Sequence, residues 1–345
     1  MSRFGIQLKL RLFMKHIARI LILSLCVVIS LTACRKNHHT PEQPQQKIPL
    51  SFSAQSQETA VKAGTEVFPH NDFGVLGIAS QQGNDVPYIL WGTDAMCQVT
   101  KSTAAGSEDY IPAADAYWFR GFEYTFFALA PYAATTSDIE LGSASSPSLA
   151  FTYEMGDSCS DNGFMIATAA KKYDGTTGTS QEIIFWHFFA KIRINISFVG
   201  ADGKPVENEN NVVRGIRLCN VATKGSYVLS HADKPVLSDA VLDPTSLKDF
   251  STSENDFTVS EPILYIIPQD ISGFEMYIDF TMATEDGVGS SDNFKLNLNF
   301  ADNSYYDYNK VYNWNITIGP KEAIGFNVTV NPWEDAEDDF EFPIE

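Results

Sequence analysis

Most of the chain after residue 47 alternates apolar and polar residues with a period of two, which is typical of β-strands with one buried and one solvent-exposed face. The alternation is clearest in the last third, over residues 276–282, 294–300, 312–318 and 324–330. One wet and one dry face per strand is typical of antiparallel sandwiches. The sequence therefore predicts an all-β protein. Its length favours two antiparallel β-sandwich domains in tandem, at residues 48–181 and 182–345.

Two segments depart from this simple alternation. Residues 183–189 are apolar on both faces, whereas 190–198 alternate. A single strand over 183–198 would span roughly 50 Å at about 3.3 Å per residue. We therefore expect a bend or a change of neighbours within it, with the first half buried near a domain junction. Residues 239–249 lack the alternation and are expected to form a short helix.

The N-terminus has the pattern of an export signal. Five basic residues and no acid precede Cys34, and an apolar run over 20–33 ends in Leu31-Thr32-Ala33-Cys34. This run is too short to span a bilayer, which needs about 20 residues, so residues 1–33 are predicted to be a signal peptide. The Ala33-Cys34 pair resembles a bacterial lipobox, which implies a lipid on Cys34. An ordinary signal peptide or an uncleaved anchor is the alternative. The polar segment 34–47, rich in Pro and Gln, reads as a flexible tether.

The composition excludes some classes of partner. The chain has 43 acidic and 24 basic residues and a formal charge of −19, and five of the basic residues lie upstream of Cys34. Such an acidic surface argues against nucleic acid and against electrostatic docking on anionic lipid. After Cys34 only Cys97, Cys159 and Cys219 remain, with no CxxC spacing. We expect these three cysteines to be buried free thiols, and one disulfide bond between two of them is the alternative.

We find no sequence motif for catalysis. The chain lacks a GxSxG elbow, an HExxH motif and a Gly-rich phosphate loop. The histidines after the tether, His70, His187 and His231, are scattered, and His187 on a predicted strand is expected to be structural. The sequence therefore predicts a protein that is not an enzyme and that binds no cofactor or metal.

Five segments in order resemble the fimbrillin-like family of type V pilus proteins. They are NDFGV at 71–75, YTFFALAPY at 124–132, FWHFFAKI at 185–192, IIPQ at 266–269 and YNWNITI at 312–318. The chain departs from the family pattern at Asn309, which stands where the glycine of a Gly-Lys-x-Tyr turn would be expected. The resemblance implies that the two sandwiches are transthyretin-like and that the protein is exported as a lipoprotein to the outer membrane, the cell surface or a fimbrium.

The resemblance also implies how such a protein assembles. Proteolysis removes an N-terminal strand, and the vacated groove accepts an extended strand from another subunit, which is β-augmentation. Here residues 48–54 would be the removable strand, and Phe340, Phe342 and Ile344 in the acidic tail 334–345 would supply the donor side chains. Lys62 is the candidate processing site. Basic residues are sparse before the first sandwich, so a lipidated anchor or accessory subunit that keeps its first strand is also open.

The alternative function is a surface lipoprotein that binds glycans or host ligands without polymerising. It would use exposed aromatic side chains, for which Trp91, Tyr305, Tyr306 and Tyr308 are the candidates.

Overall fold

The computed structural model describes residues 47–57, 68–81, 88–92, 96–132, 136–142, 147–156, 163–175, 180–232, 234–238, 240–252, 262–284, 287–296, 298, 304–319 and 324–332. Within these ranges the chain forms β-strands joined by loops, together with one 3-10 helix at Leu90–Gly92. The all-β prediction is therefore confirmed. Nowhere in these ranges does a helix have the length and apolar character needed to cross a membrane.

The first half of the described chain contains twelve strands. They are β1 (Ile48–Pro49), β2 (Ser51–Ser56), β3 (Asp72–Gln81), β4 (Tyr88–Ile89), β5 (Cys97–Lys101), β6 (Tyr110–Pro112), β7 (Tyr117–Trp118), β8 (Phe122–Ala130), β9 (Thr136–Leu141), β10 (Ser148–Glu154), β11 (Met165–Tyr173) and β12 (Ser180–His187).

The second half continues with β13. Its strands are β13 (Ala190–Phe198), β14 (Val212–Ala222), β15 (Lys224–His231), β16 (Pro235–Leu237), β17 (Val241–Leu242), β18 (Leu247–Ser251), β19 (Ile263–Ile266), β20 (Gln269–Asp270), β21 (Glu275–Thr284), β22 (Gly287–Leu296), β23 (Tyr305–Tyr306), β24 (Lys310–Ile318) and β25 (Ile324–Pro332).

The first sheet closes on itself. Its strand order is β4-β3-β5-β6-β2-β12-β11-β8, and β8 pairs in turn with β3. Strand β8 shows why this region reads as a continuous apolar run. Phe126 points into the interior of the first sheet, whereas Phe127 packs on the opposite side against the core of the second half. A strand that is buried on both faces cannot show polar alternation.

A second sheet joins the two halves of the chain. Its order is β16-β15-β10-β9, with β17 also on β15. Strand β10 comes from the first half and β15 from the second, and they pair antiparallel along their length, from Ser148 opposite Ser230 to Glu154 opposite Lys224. We call this the bridging sheet. Phe151 of β10 and Tyr227 of β15 stack on its buried face with ring centroids 5.7 Å apart.

The rest of the second half forms a two-layer arrangement. One sheet has the order β19-β13-β24-β25 and the other the order β18-β14-β21-β22, while β20 and β23 form a separate pair. The facing sides share one core, in which the rings of Phe198 and Phe280 lie 6.4 Å apart. The strands predicted over 276–282, 312–318 and 324–330 are confirmed as β21, β24 and β25. Strand β22 ends at Leu296, however, before the predicted limit at residue 300.

The long run over 183–198 consists of two strands in two different sheets. Strand β12 pairs with β2 and β11 in the first sheet, whereas β13 pairs with β19 and β24. Phe188 and Phe189 lie between them, and both are fully buried. The expected change of neighbours is therefore confirmed. The chain leaves the first sheet after His187, so the predicted limit between residues 181 and 182 lies inside β12.

The division into tandem domains at 48–181 and 182–345 stays a prediction. The described strands add two facts that bear on it. The bridging sheet takes strands from both predicted domains, and one apolar core extends from Leu76 of β3 to Ile318 of β24.

Two details of the predicted architecture are wrong. The sheets are not purely antiparallel, because β2 runs parallel to β12 and β13 runs parallel to β24. The short helix expected at 239–249 is absent from its described part, residues 240–249. This part contributes strand β17 and the start of β18, which pair with β15 and β14.

Candidate functional site

The first-strand segment, residues 48–56, lies in an apolar trough of the first sheet. The sequence predicts Ile48, Leu50, Phe52 and Ala54 on one face, and the structure places Leu50 and Phe52 in the core at 3% and 0% exposure. Ile48 and Ala54 are half-buried and pack against the same core. The segment therefore completes the hydrophobic core of the first sheet. The chain connects it covalently to the rest of that sheet at its C-terminal end only.

Main-chain pairing holds the segment on both sides, but unequally. All six residues of β2 lie opposite β12, from Ser51 at Ser180 to Ser56 at Phe185. On the other side the contacts are short. Phe52 pairs with Tyr110 of β6, the Leu50 N–H donates to the Ala116 carbonyl oxygen at 2.9 Å, and β1 pairs with β7. One long ladder and several isolated contacts thus seat the segment.

Aromatic rings line the seat of Phe52. Its ring packs edge-on against Phe126 at 5.4 Å and against Phe73 at 6.0 Å between centroids. Such edge-to-face contacts add to the stabilisation that comes from burial. We call the trough between β6 and β12 the groove. Without the first-strand segment, its apolar floor and the main-chain edge of β12 would both face water.

A second aromatic cluster lies where β1 meets β7. Trp118 of β7 is buried, stacks on Tyr173 at 5.2 Å and lies edge-on to Tyr124 at 4.7 Å. The ammonium of Lys171 lies 4.7 Å from the centre of the Trp118 ring. Burial lowers the pKa of Lys171, because the charged form loses water there. This cluster packs around Trp118 of β7, the strand that pairs with the first two residues of the segment.

The chain is fixed again soon after the segment. Phe68 is buried and stacks on Phe185 at 4.5 Å. His70 Nε2 lies 2.7 Å from the Gly163 carbonyl oxygen, so this nitrogen carries the proton and donates. The Tyr110 hydroxyl donates to the carbonyl oxygen of His70 at 2.9 Å. The anchoring role of Phe68 was not predicted, because its local sequence shows no more than an apolar residue within a polar stretch.

Several predicted site residues lie outside the described residues. They are the lipidation candidate Cys34, the processing candidate Lys62, and the donor candidates Phe340, Phe342 and Ile344. These assignments stay predictions. The structure does place the predicted removable strand, residues 48–54, and places it in the groove.

The aromatic residues suggested for glycan binding are not the exposed set that this function needs. Tyr306 is 2% exposed, stacks on Tyr312 at 3.6 Å and accepts a hydrogen bond from Trp314 Nε1 at 2.7 Å. Tyr308 is also buried, and its hydroxyl donates to the Pro235 carbonyl oxygen at 2.7 Å. The prediction that these two side chains are exposed is wrong. Tyr308 instead joins the turn before β24 to strand β16 of the bridging sheet, and Tyr306 packs against β24.

The other two aromatic candidates are half-buried. The Tyr305 hydroxyl accepts a hydrogen bond from the Ala240 N–H at 3.2 Å, and Trp91 Nε1 donates to the Ala114 carbonyl oxygen at 2.9 Å. Both rings therefore take part in packing the loops around them.

Residues with catalytic or metal-binding chemistry are not gathered into a site in the described ranges. His187 is buried, and His231 Nδ1 lies 2.8 Å from the Thr168 hydroxyl. No group of three or more potential metal ligands occurs among these residues. Cys97 and Cys219 are buried free thiols, as expected, and Cys159 lies outside the described residues. The groove is therefore the best-defined candidate site in the described part of the chain.

Comparisons with known proteins agree with this architecture. The sequence model of the fimbrillin-like family matches residues 71–333. A solved candidate cell adhesion protein from Bacteroides uniformis aligns with a TM-score of 0.50 at 17% identity, over 83% of this chain and 98% of that one. A fimbrial protein from Bacteroides vulgatus aligns with a TM-score of 0.52 at 13% identity, over 83% and 99%. At these identities the two structures establish the fold alone. No curated protein sequence matches the chain.

Proposed function

Because this chain belongs to the fimbrillin-like family, we propose that it is a structural or adhesive component of a surface fimbrium and that it joins other subunits by exchange of its first strand. It has no catalytic role in this proposal. Its partners are other pilus subunits, either further copies of this chain or related ones. The two tandem transthyretin-like sandwiches expected from the sequence belong to the same proposal.

The observation that carries the proposal is the seat of the first-strand segment. Leu50 and Phe52 are core residues, yet they belong to a short strand before residues 58–67, so a single cut there separates them from the rest of the sheet. The remaining edge of β12 would offer unpaired main-chain groups beside an apolar floor. An extended peptide with alternating apolar side chains satisfies both, and this is how β-augmentation works.

The delivery and donor steps rest on the sequence. A lipid on Cys34 would hold the exported chain at the outer membrane, and cleavage at Lys62 would separate the segment from the body of the protein. The alternation of Phe340, Phe342 and Ile344 matches the two-residue spacing of Ile48, Leu50 and Phe52. A subunit that escapes cleavage would stay at the membrane as an anchor or accessory component.

The decisive experiment compares assembly of three chains after cleavage within residues 58–67. The wild-type chain is expected to form strand-linked polymers that resist mild denaturation. Substitution of Phe340, Phe342 and Ile344 by Ser should abolish them, because the donor loses the side chains that fill the groove. Substitution of Asp339 and Glu341 by Ser is the matched control and should leave assembly intact. Equal assembly of all three chains would refute donation by the tail.

The mature N-terminus from cells separates the two roles of the subunit. Mass spectrometry that finds a lipidated Cys34 in assembled fimbriae supports the anchor role. A start near Ala63 supports a processed subunit of the shaft. A start at neither position would contradict both the lipid on Cys34 and the cut at Lys62.

A further inference from the structure

The chain leaves the first sheet and returns to it beside the same residue. Ser56, the last residue of β2, lies opposite Phe185 of β12, and the ring of Phe68 stacks on Phe185 at an interplanar angle of 25°. The segment 58–67 connects these two points. A cut within it therefore breaks none of the described contacts of the first-strand segment, and none of those of Phe68.

Those contacts do not depend on the covalent connection. The ladder with β12 and the hydrogen bond from the Leu50 N–H to the Ala116 carbonyl oxygen join the segment to residues far away in sequence. The side chain of Gln55 adds a hydrogen bond, because its Nε2 donates to Glu182 Oε1 at 2.8 Å. The segment is thus bound to the groove in the way that a peptide ligand is bound to a receptor.

The anchoring side chains are distributed unevenly along the segment. Leu50 and Phe52 are large and fully buried, whereas the residues toward the cut, Ala54 and Ser56, are small. Burial of apolar area is the main source of binding free energy, and small side chains contribute little of it. The cut end at Ser56 should therefore fray first, while the end at Leu50 and Phe52 stays in place.

We propose that the groove retains the first-strand segment as a noncovalent ligand after cleavage, and that a competing strand displaces it from the Ser56 end. Cleavage then prepares the subunit for exchange without vacating the groove. If Cys34 carries a lipid, the cut subunit also stays at the membrane until another strand replaces its own. The inference rests on the proposed function for its role in assembly, but retention itself can be measured separately.

The test uses residues 35–345, which omit the predicted signal peptide and the lipidation candidate Cys34, with an affinity tag at the N-terminus and a site-specific protease sequence within 58–67. After complete cleavage, the tagged fragment is bound to resin and the body of the protein is followed over time. We expect the body to stay on the resin for hours. Phe52→Ala should speed its release about tenfold or more, since a buried aromatic anchor is lost. Ser53→Ala, a half-exposed neighbour on the same strand, should change the release rate less than about twofold.

Release of the wild-type body on cleavage would overturn the inference, and this result does not require any variant to fold. Hydrogen exchange on the cleaved complex tests the direction. Faster exchange at residues 54–56 than at 50–52 supports displacement from the Ser56 end, whereas the reverse order overturns it.

The same sample separates this inference from the proposed function. A body that is lost at once but then polymerises contradicts retention and leaves strand exchange standing. A body that stays bound, and that excess synthetic peptide of residues 334–345 does not displace, supports retention and contradicts donation by the tail.

Discussion

The two parallel strand pairs in the described part of the chain, β2–β12 and β13–β24, have similar geometry but differ in how their strands are held at the other edge. Strand β2 lies parallel to β12 over six residues, and β13 lies parallel to β24 over nine. Strand β24 has a second full-length partner, β25, whereas the described partners of β2 on its other side are limited to the Phe52–Tyr110 pairing and short contacts. A strand that is held along both edges cannot leave without breaking its sheet.

The positions of the strands along the chain add to this difference between β2 and β24. Strands β12 and β13 follow one another with only Phe188 and Phe189 between them, so one stretch of backbone supplies a partner to each parallel pair. The Phe188 N–H donates to the Phe164 carbonyl oxygen, and the Asn309 N–H donates to the Phe189 carbonyl oxygen, both at 3.1 Å. Strand β2, by contrast, belongs to a segment that one cut separates from the body. The proposed exchange of β2 thus relies on chain connectivity as well as on the length of the ladder.

The largest expected effect comes from the β13–β24 pair. Trp314 of β24 is fully buried, and its indole N–H donates to the Tyr306 hydroxyl. Trp314→Ala should lower the free energy of unfolding by about 3–5 kcal/mol, because it leaves a cavity and removes the hydrogen bond to the Tyr306 hydroxyl. Urea unfolding measures this loss. Trp314→Phe should cost less, since it keeps most of the buried area.

Phe52→Ala in the β2–β12 pair is the comparator for Trp314→Ala. It also removes a fully buried ring, but hydrogen exchange should show lost protection mainly in residues 50–56, with β24 and β25 still protected. A loss of protection in β24 as large as that in β2 would show that the two parallel pairs unfold as one unit. It would contradict the difference between β2 and β24 described above.

Alkaline pH should weaken the second half of the protein by a smaller amount. Burial raises the pKa of both Tyr308 and Tyr312 to about 12 from the ordinary value of 10.0, and raises that of Tyr306 further. The unfolded chain loses these protons near pH 10, so the stabilisation is complete below pH 10 and is lost as the pH rises through 12. At pH 11 each of Tyr308 and Tyr312 should account for about 1.4 kcal/mol of lost stability.

Tyr308→Phe isolates one of these contributions. It should cost about 1 kcal/mol at neutral pH, because the hydrogen bond to Pro235 is lost. Between pH 9 and pH 11, however, its stability should fall less than that of the wild type by about 1.4 kcal/mol. Parallel curves for the two proteins in urea titrations would contradict the raised pKa of Tyr308.

The alternation in the sequence predicts the strands well but not their neighbours. Period two is the same for parallel and antiparallel strands, so nothing in residues 48–54 indicates that β2 runs parallel to β12. The helix expected at residues 239–249 is wrong for a different reason. They form two short strands whose identity depends on distant partners, and strands of this length leave too few residues for a period to be visible.

The candidate site could be predicted only in part for similar reasons. The inward face of the first-strand segment follows from its own residues, and the structure confirms it at Leu50 and Phe52. The anchoring of Phe68 on Phe185 depends on a long-range contact that local pattern does not contain. Tyr306 and Tyr308 look exposed in sequence because Asn, Ser and Asp surround them, yet the fold turns both rings into the core.

Substitutions in the turn before β24 should give the smallest effect on the free energy of unfolding. They separate the backbone preference of residue 309 from the tertiary contacts of its side chain. Asn309 has a φ of 55°, the left-handed conformation that favours glycine, and Asn tolerates it better than most residues. Its buried side-chain oxygen has no hydrogen-bond donor among the described residues. Asn309→Gly should therefore stabilise the protein by about 0.5–1 kcal/mol, and Asn309→Ala should destabilise it by about 1 kcal/mol.

Thermal and urea unfolding of the two Asn309 variants measure these opposite signs. The junction formed by the Asn309 N–H and the Phe189 carbonyl oxygen uses only main-chain atoms, so both variants can keep it. The difference between them then reports the backbone conformation alone. If Asn309→Gly destabilised the protein, the Asn309 side chain would have to stabilise the turn before β24. Asn309 would then do more than replace the glycine expected at this position.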